Sequence, residues 1–273
     1  MKKIEVVIDG RERLVAQSWN DLTEAQLLRV CLVHGTPYDS PGPLYQALLQ
    51  AVFQVPLRTI RQLNIVQLVE LKPLVRFLKE PSECAPLTKQ LLPSLPKISW
   101  RQLLSPKLYG PRESFLNLTF TEFIYADTYF LRYLQTNEEV WLQRLVAVLY
   151  RPQRADYDPA AVTYGGDRRE DFNEHLVEGR VRHVARVPHH LQYAVLLWYR
   201  GCRRELERRY VRVFSSDNQQ KASQSGWQQV LFSLADGVHR VDVTSRQLLH
   251  NVMREMQRVL DNYDRAKEAQ QPQ

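Results

Sequence analysis

Apolar residues recur at every third or fourth position over more than twenty residues in the second half of this chain. The members of this apolar stripe are Leu191, Val195, Trp198, Cys202, Leu206, Tyr210 and Val213. Such a period places them on one side of an α-helix, which buries that side. Pro188, a residue favoured at the first helical position, marks where the helix starts.

Helix-start signals elsewhere in the chain extend this pattern. Capping boxes of the form T-x-x-Q or T-x-x-E begin at Thr23, Thr119 and Thr136. Together with the apolar spacing they predict helices over about 23–34, 65–79, 136–151, 169–179, 226–235 and 245–267, and helices starting near 43 and 119. Pro73 is expected to kink or divide the helix that contains it.

The first residues follow a different period. Ile4, Val6 and Ile8 alternate with other residues, and Asp9-Gly10 provides the positive φ angles of a tight turn. The sequence therefore predicts a mainly α, multi-helix globular protein with a small N-terminal β-hairpin.

Proline divides the chain. Six of its fifteen prolines lie between positions 81 and 111, a spacing that no long helix or central strand tolerates. We therefore expect a hairpin and helical part over 1–80, an extended connector over 81–111, a larger helical part over 112–267 and a polar tail over 268–273.

The positive charge is concentrated on one segment. Nine arginines and two acidic residues lie between 180 and 212, which accounts for the whole net charge of +7. Arg200, Arg204, Arg208 and Arg212 repeat every four residues and form an arginine stripe about 18 Å long. Three interpretations fit it: a solvated face partly neutralised by neighbouring glutamates, an interface for a carboxylate-rich protein, or a phosphate contact with nucleic acid.

The last predicted helix carries a second candidate surface. Leu249, Val252, Met256 and Val259 are spaced by three and four residues, a short heptad seam. The seam is suited either to docking on the chain's own core or to contact with a partner helix or a second copy.

Catalytic and cofactor motifs are missing from the sequence. It contains no H-E-x-x-H, no phosphate-binding glycine loop and no G-x-S-x-G, and its three cysteines are far apart without a C-x-x-C pair. We therefore expect no enzyme activity, no cofactor and no metal. No apolar run approaches the length of a membrane span, and cysteine usage favours a reducing, cytoplasmic location.

Four segments carry a resemblance: SWNDLTEAQLLRV, LNLTFTEFIYADTYFLRYLQT, LVAVLYRP and LLWYRGCRRELERRYVRVF. From about residue 17 to 265 the chain resembles uncharacterised proteins encoded in prophage and tailed-phage structural gene regions. The resemblance implies a role in virion morphogenesis, as a tail-assembly chaperone or a minor structural component.

The combined prediction is a non-enzymatic protein–protein interaction protein of phage particle or tail assembly. Its expected partners are other phage structural or assembly proteins, with self-association as a further option. Its expected location is the host cytoplasm or the virion. The alternative is a nucleic-acid-binding module that uses the arginine stripe.

Overall fold

The computed structural model describes residues 4–8, 11–79, 86–95, 106–161, 165–214, 227, 231 and 241–269, and these are mainly helical. In chain order the elements are β1 (Ile4–Ile8), β2 (Arg11–Val15), α1 (Glu24–His34), α2 (Pro41–Phe53), α3 (Leu57–Arg61), α4 (Ile65–Lys79), β3 (Leu108–Tyr109), α5 (Phe120–Thr136), α6 (Glu139–Leu149), β4 (Arg151–Pro152), α7 (Val177–Val184), α8 (His189–Arg209), α9 (Val241–Ser245) and α10 (Leu249–Ala269). None of the helices in these ranges is long and apolar enough to cross a membrane.

The chain forms two compact units. The first comprises residues 1–92 with 188–201, and the second comprises 93–187 with 202–273. The division along the chain thus falls within the proline-rich segment, and helix α8 contributes residues to both units.

The first unit contains the predicted hairpin strands. β1 and β2 pair in antiparallel register, with Ile4 opposite Val15 and Ile8 opposite Arg11. This register confirms the two strands, whereas the predicted turn at 9–10 lies outside the described residues.

Local signals set the helix starts in the first unit. The Thr23 hydroxyl accepts from the Gln26 amide at 3.2 Å, and the Gln26 side chain accepts from the Thr23 amide at 2.8 Å, so the predicted capping box forms. α2 begins at Pro41, two residues before its predicted start, and α4 is continuous through Pro73. The short α3 was not predicted, because five residues are too few to show a helical period.

In the same unit, the first part of α8 packs closely on the chain between 86 and 92. Trp198 donates its indole N–H to the Thr88 carbonyl at 3.2 Å. A Cβ on Gly201 would lie 2.1 Å from the Leu87 carbonyl oxygen, so only glycine allows this approach.

In the second unit, two departures from the predicted helix boundaries lie between residues 136 and 179. The capping box at Thr136 is wrong, because Thr136 is the last residue of α5 and Asn137 ends that helix in a left-handed conformation with φ 54°. The predicted helix over 169–179 is also wrong. The helix α7 starts at Val177, after a 3-10 turn over 174–176 that Asn173 caps, while Arg169 pairs with Gln153 in an isolated bridge.

The C-terminal helix starts later than predicted. α10 begins at Leu249, and the preceding segment forms the separate short helix α9. Leu248 lies in a bridge opposite Thr119, and the Leu249 amide donates to the Leu118 carbonyl at 2.8 Å. These bonds hold the start of α10 against the start of α5. The predicted helix over 226–235 lies almost wholly outside the described residues.

The burial predicted for the apolar stripe is confirmed for each of its seven residues. The predicted helix is too long, because α8 ends at Arg209 and Tyr210 and Val213 lie in the turn that follows. Described parts of the proline-rich segment also contribute to the interior, through Leu92 and Leu95 and through Leu108 in β3. Strand β3 pairs antiparallel with β4, with Tyr109 opposite Arg151.

Candidate functional site

The arginine stripe is not a uniform row on one helix. Arg200, Arg204 and Arg208 lie on α8, but α8 ends at Arg209, so Arg212 lies in the turn that follows. Arg208 is exposed and 3.8 Å from Glu205, and Arg212 donates to Asp261 of α10 at 2.8 Å. The stripe is therefore partly neutralised, and its last member is committed to an intramolecular ion pair.

A neighbouring arginine outside the stripe has a structural role. Arg203 pairs with Glu207 and donates to Asp127 at 2.6 Å. Asp127 is fully buried and also accepts from the Trp227 indole N–H at 3.1 Å. Because Asp127 has charged and neutral donors, its buried charge is compensated.

The apolar seam of α10 divides into a buried and an exposed half. Leu249 and Val252 are buried within the second unit and Met256 is half-buried. Beyond them Val259 is 48% exposed and Tyr263 is 66% exposed. The seam therefore docks on its own unit at the start of α10 and emerges from it further along.

A groove of about 740 Å³ lies between the end of α8 and α10, and we call it the basic groove. Its charged lining residues are Arg209, Arg254, Arg258, Arg265 and Asp261. Leu116 and Leu248 add apolar surface and are 42% and 43% exposed. Four arginines face one aspartate in this groove, and the aspartate is already paired with Arg212.

Helical spacing brings three of these arginines to one face. Arg254, Arg258 and Arg265 are separated by four and seven residues, which places them within about 40° around the axis of α10. They were not among the predicted site residues, although their spacing is visible in the sequence. Arg209 was missed for another reason: it lies off the arginine stripe, and only the packing of α8 against α10 brings it to the groove.

The groove arginines are neutralised to different degrees. Arg209 lies 3.7 Å from Glu205, and Arg258 lies 2.6 Å from Glu255. Arg254 donates to the Asn251 side chain at 3.4 Å. Among the side chains that the structure describes, no carboxylate lies within ion-pairing distance of Arg254 or Arg265, so within that set the positive charge of these two arginines is not compensated.

His250 and Tyr210 hold the two sides of the groove together. The Tyr210 hydroxyl lies 3.1 Å from His250 Nδ1, and His250 Nε2 lies 2.8 Å from the Ser114 carbonyl. Because a carbonyl oxygen only accepts, Nε2 carries the proton and donates it to Ser114. In the neutral ring Nδ1 is then an acceptor facing the Tyr210 hydroxyl, which also lies 3.3 Å from the His250 carbonyl oxygen. Burial, together with Arg209 and Arg254, lowers the pKa of His250 against the opposing Ser114 hydrogen bond. The ring is therefore neutral at pH 7, and the positive charge of the groove comes from its arginines.

A second polar region surrounds Glu122, whose predicted role was to complete a capping box. The Thr119 hydroxyl does accept from the Glu122 amide, at 3.3 Å, but the carboxylate turns inward. It accepts from Arg151 at 3.0 Å and from Arg169 at 3.1 Å, and all three side chains are buried. Burial disfavours the charged form of both arginines. For Arg151 this effect is the larger one, and its pKa is lowered despite the neighbouring Glu122 and Asp167. For Arg169 the attraction of Glu122 and Asp167 outweighs burial, and its pKa is raised.

This buried cluster adjoins a polar cavity of about 430 Å³. Arg151 Nε and Nη1 have no hydrogen-bond partner among the described residues. Four carboxylates share the cavity lining with two arginines, namely Glu122, Asp167, Asp171 and Glu174 with Arg151 and Arg246. Because both signs of charge are mixed there, the cavity does not define one class of ligand as the basic groove does.

The described residues offer little for metal or thiol chemistry. They contain no group of three His, Cys, Asp or Glu side chains placed to hold a metal ion. Cys31 and Cys202 are buried, and burial raises the pKa of both thiols, which leaves them protonated and unreactive. Cys84 lies outside the described residues.

Comparison of the chain with protein-family models, with curated proteins and with solved structures gives no match. The basic groove is therefore the feature from which a function can be argued.

Proposed function

We propose that this chain is a non-enzymatic interaction protein of phage particle or tail assembly, and that it holds a partner protein in the basic groove. The observation that carries the proposal is the charge of the groove: four arginines line it, and its one aspartate is paired with Arg212. A surface with uncompensated arginines attracts a partner of opposite charge.

The chemistry of the lining favours a protein over a nucleic acid. Arginine pairs well with carboxylates through parallel N–H donors. Leu116 and Leu248 expose apolar surface that a protein side chain can cover. Tyr210, which lines the groove, is buried and does not offer a face for base stacking.

The assembly setting rests on the resemblance to proteins from tailed-phage structural gene regions. The proposed partners are structural or assembly proteins of the same phage, in the host cytoplasm or the virion. A transient chaperone and a minor structural component would both need a partner-binding surface of this kind.

Co-expression tests this function. The tagged chain is expressed with individual structural and assembly proteins of the same prophage, and the partner recovered per mole of chain is measured. We expect one of them to co-purify, and its recovery to fall at least tenfold with Arg254→Glu/Arg265→Glu, which removes the uncompensated charges.

The matched control is Arg58→Glu/Arg61→Glu, which makes the same change of charge at exposed positions of α3. It should leave recovery unchanged. Failure of every such protein to co-purify, or equal recovery with the groove variant, would overturn the proposal.

Nucleic acid is the second candidate, because the arginines of α10 span about 16 Å, a length that covers several phosphates. A salt titration of duplex DNA binding separates the two candidates. Phosphate binding predicts a log–log slope of about 0.9 for each phosphate contacted, with loss of binding in Arg204→Glu/Arg208→Glu or in the groove variant. Weak binding that neither variant changes would reject this candidate.

A further inference from the structure

We infer that the occupant of the basic groove is an acidic, amphipathic helix of the partner protein, lying alongside α10. The inference rests on the proposed function and adds the chemistry and the spacing of the bound segment. Three properties of the groove lead to it.

The first property is the period of the charges. Arg254, Arg258 and Arg265 follow one another at four and seven residues along a single helix face. A neighbouring helix has the same rise per residue, so carboxylates at the same spacing meet all three arginines in one register. An extended segment, with about twice the rise per residue, does not keep this register.

The second property is that the lining of the groove changes from partly apolar to charged along α10. Its exposed apolar residues, Leu116 and Leu248, belong to the end where α10 begins, whereas Arg265 lies toward the other end of the helix. Between Arg254 and Arg265 the helix rises about 16 Å. The occupant is therefore expected to carry its apolar anchor at one end and its last carboxylate about 16 Å away.

The third property is where the positive charge is uncompensated. Arg258 and Arg209 already have glutamates nearby, while none of the described carboxylate side chains lies within ion-pairing distance of Arg254 or Arg265. These two positions bracket the groove along α10. Carboxylates of the occupant at these two positions are expected to contribute most to the binding free energy, because neither arginine has to give up a carboxylate partner among the described side chains.

A designed peptide tests the inference directly. The probe is a blocked, labelled peptide of about 20 alanine and glutamine residues, with three glutamates at the spacing of the arginines and one leucine a turn before the first glutamate. Its binding to the full chain is followed by fluorescence anisotropy. A second peptide has the same composition with the glutamates out of register, and a duplex DNA of similar length is the third probe.

We expect the in-register peptide to bind at least tenfold more tightly than the out-of-register peptide and the DNA. Arg254→Glu/Arg265→Glu should weaken binding at least tenfold, whereas the control Arg58→Glu/Arg61→Glu should change it less than twofold. Leu248→Asn, at an exposed side chain, should weaken peptide binding about threefold, because it removes the apolar contact.

Equal binding of the two peptides, or tighter binding of the DNA, would overturn the inference. If the peptides fail while a co-expressed partner is still lost from the groove variant, the helical acidic occupant is wrong and the proposed function stands. If the partner is also retained by the groove variant, both are wrong.

Discussion

Glu122 joins two buried arginines that would otherwise repel one another. Its two oxygens accept from Arg151 at 3.0 Å and from Arg169 at 3.1 Å. Removing the carboxylate leaves both guanidinium groups buried with less compensation, because Asp167 is then the remaining acid beside them. The side chain that the sequence pattern assigns to a helix cap is therefore expected to be a main determinant of stability.

Glu122→Ala should lower the free energy of unfolding of the second unit by about 3–5 kcal/mol, the cost of breaking a buried ion pair from one side. Urea unfolding followed by circular dichroism measures this change. Glu70→Ala is the control, since Glu70 is exposed on α4, and it should change the free energy by less than about 0.5 kcal/mol. A loss below about 1 kcal/mol for Glu122→Ala would contradict this account of the cluster.

Alanine substitution at two glycines is expected to change stability in opposite directions. Gly201→Ala places a Cβ 2.1 Å from a backbone oxygen of Leu87, and should destabilise the first unit by about 1–3 kcal/mol through the forced shift. Gly179 of α7 has nothing within 4 Å of such a Cβ, so Gly179→Ala should stabilise the helix by about 0.5–1 kcal/mol. Thermal unfolding distinguishes them by the sign of the Tm change. The same sign for both would show that the close approach of α8 to Leu87 is not formed.

The elements show which sequence signals can be interpreted locally. The apolar stripe and the box at Thr23 were predicted correctly, because each depends on residues within a few turns of one helix. At Thr119 the glutamate that should complete the box turns inward to two arginines that come from later in the chain. At Thr136 the local pattern competes with the continuation of α5, and Asn137 sets the boundary.

The lining of the basic groove could likewise be predicted from the sequence only in part. The arginines of α10 are in register within one helix, so their shared face is predictable from sequence. That Arg209, Leu116 and Leu248 lie beside them depends on contacts between distant segments, such as the bond from the Leu249 amide to the Leu118 carbonyl. No local period encodes such contacts.

The cap at the start of α1 gives a prediction about helix stability. Thr23→Ala removes the acceptor for the Gln26 amide and should lower the free energy of unfolding by about 1 kcal/mol. Thr136→Ala is the comparison, because Thr136 caps no helix start and accepts only from the Glu138 amide. Its effect on the urea midpoint should be half as large or less. Equal effects would mean that the capping box at Thr23 contributes no more to the free energy of unfolding than an ordinary turn does.

For the whole molecule, two half-buried histidines link stability to pH. Burial is the main cause that lowers the pKa of His34 and of His250 from the ordinary value of 6.5, against hydrogen bonds to Leu78 and Ser114 that raise it. Below pH 6.5 the unfolded chain therefore binds more protons than the folded one, and stability falls as the pH falls. Asp167, whose pKa is lowered from 3.8 because Arg169 outweighs the effect of burial, loses its contribution only at more acidic pH.

The free energy of unfolding should accordingly decrease between about pH 7.5 and pH 5.5, and His34→Gln/His250→Gln should flatten that decrease. Urea titrations at several pH values measure both slopes. A free energy of unfolding of the wild type that stays constant or increases as the pH falls over this range would contradict the lowered pKa values of His34 and His250 in the folded state.

The central claim for the molecule is that a partner protein occupies the basic groove. Amide hydrogen exchange of the chain, alone and with the co-purifying partner, tests it most directly because each protected segment is identified. The account predicts slower exchange in residues 209–214 and 248–265, and no such slowing with Arg254→Glu/Arg265→Glu. Protection confined to helices α1–α4, with exchange in α10 unchanged, would contradict it and place the interface elsewhere.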